Sequence, residues 1–443
     1  MPTKPEDPMN THREIEQLLR ERHHPALPGH FVLPAYEGHS IANIGPTVAR
    51  ILGVREGAAS PTLPRSLWES LAADASSVIL LVLDAVGYRQ LDRFLRTEES
   101  AFSRLRDAGT LIPLTSVFPS TTVSGLTSIW TGQPPLGHGF LGTRLLLPRQ
   151  GLLANLLRMA PAAYGGGGRL QDWGWDADDF VTVPSIAGRL SDAGVGTVMH
   201  TRRAFLGSPL TRIFLRGMEE LVGYVGLPDL WLNLRRTLRQ RRPGERLFVG
   251  VYWSGIDAVG HAYGPESNYP PAALHDLARS LSEDFLNRIS PPSRAGTLLL
   301  VTADHGQIST PPERVVHLPA HPELWDALLL PPAGESRASY VYVKPGQRER
   351  VLGYVASHLA DRFVAVETEE ALEAGLWGST AQITPELRAR LGDIVIMATG
   401  DSRLSTRPER KDDGDSGGLR GHHGSLTADE MLVPLLMTRL DAL

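Results

Sequence analysis

Acidic and imidazole side chains recur in this sequence at spacings that suit a cation. Asp84 ends the run LVLD, Asp257 and His261 stand four apart in GIDAVGH, Asp304 and His305 are adjacent in TADHG, and His422 and His423 share the turn GHHG. Residues at i and i+4 lie on one face of a helix, so Asp257 and His261 would present both groups to the same centre. Taken singly, each has an ordinary explanation: Asp257 as a helix cap, His261 as a surface imidazole, Asp304 and His305 as loop polarity. Taken together they form a ligand set. The chain has no cysteine, which excludes disulfides and thiol nucleophiles and leaves a metal only nitrogen and oxygen donors. A hydroxyl nucleophile is offered in SVFPSTTVSGLTSIWTG, where Ser120, Thr121, Thr122, Ser124, Thr127 and Ser128 compete. Propensity does not rank them, since serine and threonine also cap helices.

These groups need elements to carry them. SSVILLVLDAVG (76–87), RLFVGVYWSGID (246–257) and AGTLLLVTADHG (295–306) are short apolar runs that end in polar residues, the pattern of buried parallel strands. Ligand crevices of open α/β sheets lie at the carboxyl ends of the strands, so three such tips predict one shared site. The intervening AALHDLARSLSEDFLNRI (272–289) has helical periodicity. The expected architecture is a three-layer α/β/α sandwich on a mostly parallel sheet, a single domain over 1–443. Residues 144–245 look different, with the glycine run 164–170, the tryptophan-containing 172–180 and the arginine-rich 232–246. They are expected to form a cap over the site. The charged, glycine-rich 405–421 is expected to be a flexible loop.

Bulk composition narrows the function classes. Hydrophobic residues at 42% and charged residues at 21% are ordinary for a globular protein, and a net charge of -5 gives no electrostatic case for nucleic-acid docking. No stretch approaches the ~18 consecutive apolar residues of a membrane span. The charged N-terminus lacks the apolar segment of a signal peptide, so the cytoplasm is the expected location.

The ordered motifs resemble the type I phosphodiesterase and nucleotide pyrophosphatase branch of the alkaline phosphatase superfamily. LVLDAVG, FPSTTVSGLTSIWTG, GIDAVGHAYGP, TADHG and GHHG follow that family's order across residues 84–424. The resemblance implies an alkaline-phosphatase-like fold, a small phosphate-ester substrate and two divalent metals. Zinc is favoured by the histidines, with manganese, iron or magnesium as alternatives. It places one metal on Asp257, His261 and His423, and the other on Asp84, Asp304, His305 and the Thr122 oxygen. His423 rather than His422 matches the position before the glycine. The family's nucleophile lies ten residues before the glycine of the following T-G, and counting back from Gly132 lands on Thr122. One departure stands out: where diesterase members carry an asparagine that touches a phosphoryl oxygen, this chain has Thr143 or Arg144. Arg337 and Lys344 are further candidates for a phosphate contact, and His317 and His321 for the pocket wall. A cysteine-based sulfatase centre is excluded by composition. Phosphomonoester or phosphonate hydrolysis on the same core, and a non-catalytic metal-stabilised module, are the competing readings.

Overall fold

In a computed structural model of the chain, the described residues are 8–54, 60–97, 99–163, 169–175, 180–181, 183–242, 244–407 and 418–443. Residues 164–168, 176–179 and most of 405–421 lie outside them. The three apolar runs form the middle of a seven-stranded sheet. Ser77–Leu83 lies between Leu247–Trp253 and Thr297–Thr302, parallel to both. Leu83 pairs with Trp253 and Val82 with Thr302, so the residues that follow these strands emerge side by side. All three strands are buried along their whole length. That requires both faces of the sheet to be covered, the condition under which parallel strands read as continuous apolar runs.

On one side the sheet continues through Gly196–Arg202 to Glu220–Tyr224, both parallel to the others. On the other side Leu432–Arg439 pairs antiparallel with both Thr297–Thr302 and Thr110–Thr115. The stretch 144–245, expected as a cap, is thus shared between sheets. Gly196–Arg202 and Glu220–Tyr224 belong to the central sheet. Arg144–Leu147, Leu152–Asn155 and Ala160–Pro161 belong to a second, antiparallel sheet. Thr197, His200, Thr201 and Arg202 dilute the apolar run of GTVMHTR, which hides this strand of the main sheet in sequence. The arginine-rich segment is helix Leu227–Gln240, which buries Leu230, Trp231, Leu234 and Leu238 and leaves Arg236 and Arg239 exposed. The helix expected at 272–289 runs over Tyr269–Ser280 and passes into a π-helical turn, Leu281–Leu286.

The second sheet also holds Ala333–Gly334, Ala338–Val341, Phe363–Glu367 and Ile394–Ala398. Its alternation sends Tyr340, Val395 and Met397 to the main core and Val341, Ile394 and Ile396 to a smaller cluster with Val351 and Val355. Among the described residues no helix is long and apolar enough to cross a membrane.

Candidate active site

Each strand tip delivers what its sequence offered. Asp84 directly follows Ser77–Leu83, and Ala85 turns the chain at φ 61, a left-handed conformation unusual for a residue with a Cβ. Asp257 and His261 sit on helix Gly255–Tyr263, which starts where Leu247–Trp253 ends. Asp304 and His305 follow Thr297–Thr302. His423 follows the short strand Gly421–His422, which pairs with Ile308–Ser309 and so brings the late histidine turn back to the central site.

The ligand-type atoms converge in two overlapping groups. In the first, atoms of Asp84, Asp304 and His305 lie within 4.8 Å of one another; in the second, those of Asp257, His305 and His423 do. His305 Nε2 stands 3.5 Å from both Asp84 Oδ1 and Asp304 Oδ2. His261 Nε2 is 3.1 Å from Asp257 Oδ1, and His423 Nε2 is 4.0 Å from it. The shared position of His305 differs from the allocation implied by the family resemblance, in which His261 and His423 joined Asp257 without it.

All three imidazoles are aimed the same way chemically. The Nδ1 of His305 donates to the Gly306 carbonyl at 2.9 Å, that of His261 to Gly421 at 2.7 Å, and that of His423 to Ser120 at 2.9 Å. A neutral ring whose Nδ1 donates keeps a lone pair on Nε2, the tautomer a metal requires. Burial and the positive influence of His305 and His261 push the His423 pKa well below its ordinary value. For His261 burial favours the neutral ring, but Asp257 outweighs it and the pKa rises.

The carboxylates complete the set. Burial, then the charges of Asp304 and Asp257, push Asp84 well above the usual range, and burial raises Asp304 too. Asp84 Oδ1 and Asp304 Oδ2 are buried with no hydrogen-bond donor. Buried carboxylates in this state are costly unless a cation neutralises them, so two orphaned oxygens beside three Nε2 lone pairs fit divalent metal ions.

The hydroxyls, unranked in sequence, are separated by geometry. Ser120 donates to Ser425 O, Ser124 to Phe140 O and Thr127 to Val123 O, while Ser128 bonds His138 and Thr121 faces Thr143. Thr122, first residue of helix Thr122–Thr131, is the one at the ligand cluster, with Oγ1 3.1 Å from His305 Nε2. The helix N-terminus adds unpaired N–H groups that favour an anion. Gly125 permits this approach: a Cβ there would fall 2.9 Å from the Asp304 carbonyl oxygen.

The sequence profile for type I phosphodiesterase / nucleotide pyrophosphatase matches residues 78–426, nearly the span from the first strand to the last histidine turn. The chain belongs to this family. Family membership supports hydrolysis of phosphate esters. No curated protein matches the chain. Among solved structures, human ectonucleotide pyrophosphatase/phosphodiesterase 5 is similar at 17% identity and TM-score 0.61, over 81% of this chain and 87% of that one. An inactive variant of the murine protein in complex with AMP has 18% identity and TM-score 0.59 over the same shares. Phosphonoacetate hydrolase from Sinorhizobium meliloti, in complex with phosphonoformate, has 20% identity and TM-score 0.59 over 82% of this chain and 90% of that one. At these identities the likeness is one of fold, which is alkaline-phosphatase-like.

Other candidates fall elsewhere. Arg337 is fully buried and spends its guanidinium on Glu430 at 2.7 and 2.8 Å and on the carbonyls of Ser402 and Gly400, so it is a structural tie and not a substrate contact. Lys344 is exposed and donates to Asp326 O at 2.7 Å. His317 and His321 bond Arg407 O and Tyr354 respectively, and His422 bonds Thr310. Thr143 lies beside Thr121, one residue from Thr122.

Three residues of this family member's site escaped the sequence reading. Tyr252 donates to Asp84 Oδ2 from within the neighbouring strand, and Gln307 donates to Asp257 Oδ1 at 3.2 Å. A tyrosine in the buried run LFVGVYW, and a glutamine directly after TADHG, were the available signals. Glu335, which accepts from the Thr143 N–H at 2.6 Å, carries no signal at all.

Proposed function

We propose that the chain is a metal-dependent phosphodiesterase in which Thr122 attacks phosphorus and a phosphothreonine ester is then hydrolysed. The observation that carries this reading is the position of the Thr122 hydroxyl, alone among six neighbouring hydroxyls, against the Asp–His cluster. Asp84, Asp304 and His305 with the Thr122 oxygen are the proposed holders of one divalent ion, and Asp257, His261 and His423 of another. Zinc best suits the imidazole content, with manganese, iron and magnesium as alternatives. When bound, such a pair supplies positive charge for the attacking and leaving oxygens of an in-line displacement.

The chain's own groups do the rest. Attack forms the Thr122 Oγ1–phosphorus bond as the ester P–O bond to the leaving alcohol breaks, and water later opens the phosphothreonine. The N-terminal N–H groups of helix Thr122–Thr131 bind the phosphoryl oxygens. The Nδ1 contacts of the three histidines hold their rings in one orientation throughout. A structural metal site is normally closed by four protein ligands, whereas this one carries a part-exposed hydroxyl at its edge, which favours catalysis over a purely structural role.

Thr122→Ala is expected to reduce turnover of bis-p-nitrophenyl phosphate by at least ~10³-fold, in line with loss of a covalent nucleophile. Its bound metal, measured by elemental analysis, should stay near that of the parent. Undiminished turnover would assign the nucleophile to another group, and a parent chain free of tightly bound divalent metal would remove the two-ion reading.

A further inference from the structure

Glu335 occupies the turn between Ala333–Gly334 and Ala338–Val341, where its own N–H donates to Ala338 O at 2.8 Å. Two features place its side chain beside the candidate site. The Thr143 N–H donates to its carboxylate at 2.6 Å, and the hydroxyls of Thr121 and Thr143 are further hydrogen-bonding partners. Its β- and γ-carbons lie against Gly424, where an added Cβ would stand 2.7 and 2.9 Å from them. Thr121 precedes Thr122 and Gly424 follows His423, so Glu335 bridges the nucleophile's helix and the last histidine turn. Glu335 and Thr122 are both partly exposed.

Burial raises the Glu335 pKa, while the hydrogen bonds from Thr143 and Thr121 and the charge of Arg144 favour the ionised form. Arg144 is within electrostatic reach, yet among the described residues no ion pair joins the two. A carboxylate is therefore held against the residue before Thr122 and the residue after His423, at the border of the candidate site.

We propose that Glu335 is a specificity-determining residue: its carboxylate opposes the second ionised oxygen of a phosphate monoester and so favours the singly charged phosphorus of a diester. The inference rests on the hydrolase reading above. Its physical basis is that like charges brought together in a partly desolvated site repel strongly, and that a monoester carries a second charge above its pKa near 6.

The test compares kcat/KM for bis-p-nitrophenyl and p-nitrophenyl phosphate at pH 8 in the parent, Glu335→Gln and Glu335→Asp, all loaded with zinc. The two substrates share a leaving group, and the contribution of the second nitrophenyl group is common to all variants, so the change in their ratio from one variant to another reads the charge at phosphorus. Glutamine keeps an acceptor for Thr143 and removes the charge. It should shift the ratio towards the monoester by roughly tenfold or more, and tighten inhibition by inorganic phosphate by a similar factor. Aspartate keeps the charge and should hold the ratio close to the parent's. A ratio unmoved in Glu335→Gln, or two activities falling equally in both variants, would leave Glu335 a structural residue and overturn the inference while the hydrolase reading stands. A zinc-loaded parent inactive on both substrates would instead overturn the hydrolase reading, and this inference with it.

Discussion

Tyr252 holds the one oxygen of Asp84 that His305 does not face. A partner of this kind fixes a carboxylate's orientation, and its loss typically costs ~10–100-fold in metal affinity or activity. Tyr252→Phe is accordingly expected to weaken zinc binding by about that factor, read by titrating zinc into metal-stripped protein; turnover at saturating zinc should recover most of the parent value. At this scale the sequence spoke clearly about residue type and poorly about company. Asp84, Asp257, His261, Asp304, His305 and His423 all reach one region because strand tips and one late turn deliver them. Of their neighbours, Tyr252 and Gln307 offered only residue type and position, and Glu335 nothing, since a hydrogen bond between residues as far apart as Thr143 and Glu335 leaves no local spacing to read.

Among elements, the 421–427 turn depends on a tie made outside the site. Glu430 accepts from Arg337 and also from Ser425 N at 2.9 Å and Thr427 Oγ1 at 2.6 Å, all out of solvent. Removing one partner of a buried pair leaves an uncompensated charge, a loss of ~3–5 kcal/mol. Arg337→Leu should lower unfolding stability by about that amount, measured by urea denaturation. In sequence Arg337 reads either as a phosphate contact or as an ordinary edge-strand charge, because a basic residue in a β-rich segment gives no sign of whether it faces water, a ligand or a buried glutamate. The three central strands were legible because both their faces are buried, which forces continuous apolar runs. The second sheet was not: several of its strands are only two to five residues long, and Gly334 pairs with Arg144 from a distant part of the chain.

At the scale of the whole molecule, one buried imidazole ties folding stability to pH. His138 is buried between two partners: it accepts from the Phe140 N–H at 3.2 Å and bonds Ser128 Oγ at 2.9 Å, and burial lowers its pKa to about 3. The fold thus prefers the neutral ring. Its contribution is complete above the unfolded value of 6.5 and is lost as pH falls from there towards 3, at about 1.4 kcal/mol per pH unit. In His138→Gln the stability deficit relative to the parent should therefore shrink by about 2 kcal/mol between pH 7.5 and pH 5, as read from urea midpoints at the two pH values. Other acid-sensitive groups are common to both proteins and cancel in that difference.

The order of strands in the central sheet carries one more consequence. Leu432–Arg439 lies between Thr110–Thr115 and Thr297–Thr302, so a segment later in sequence than both fills the slot between them. A nascent chain on the ribosome therefore holds an open seam beside the strand that presents Asp304 and His305. Until that strand slides in, the candidate site has no fixed wall on that side, and whatever chemistry it supports has to wait for a segment far along the chain.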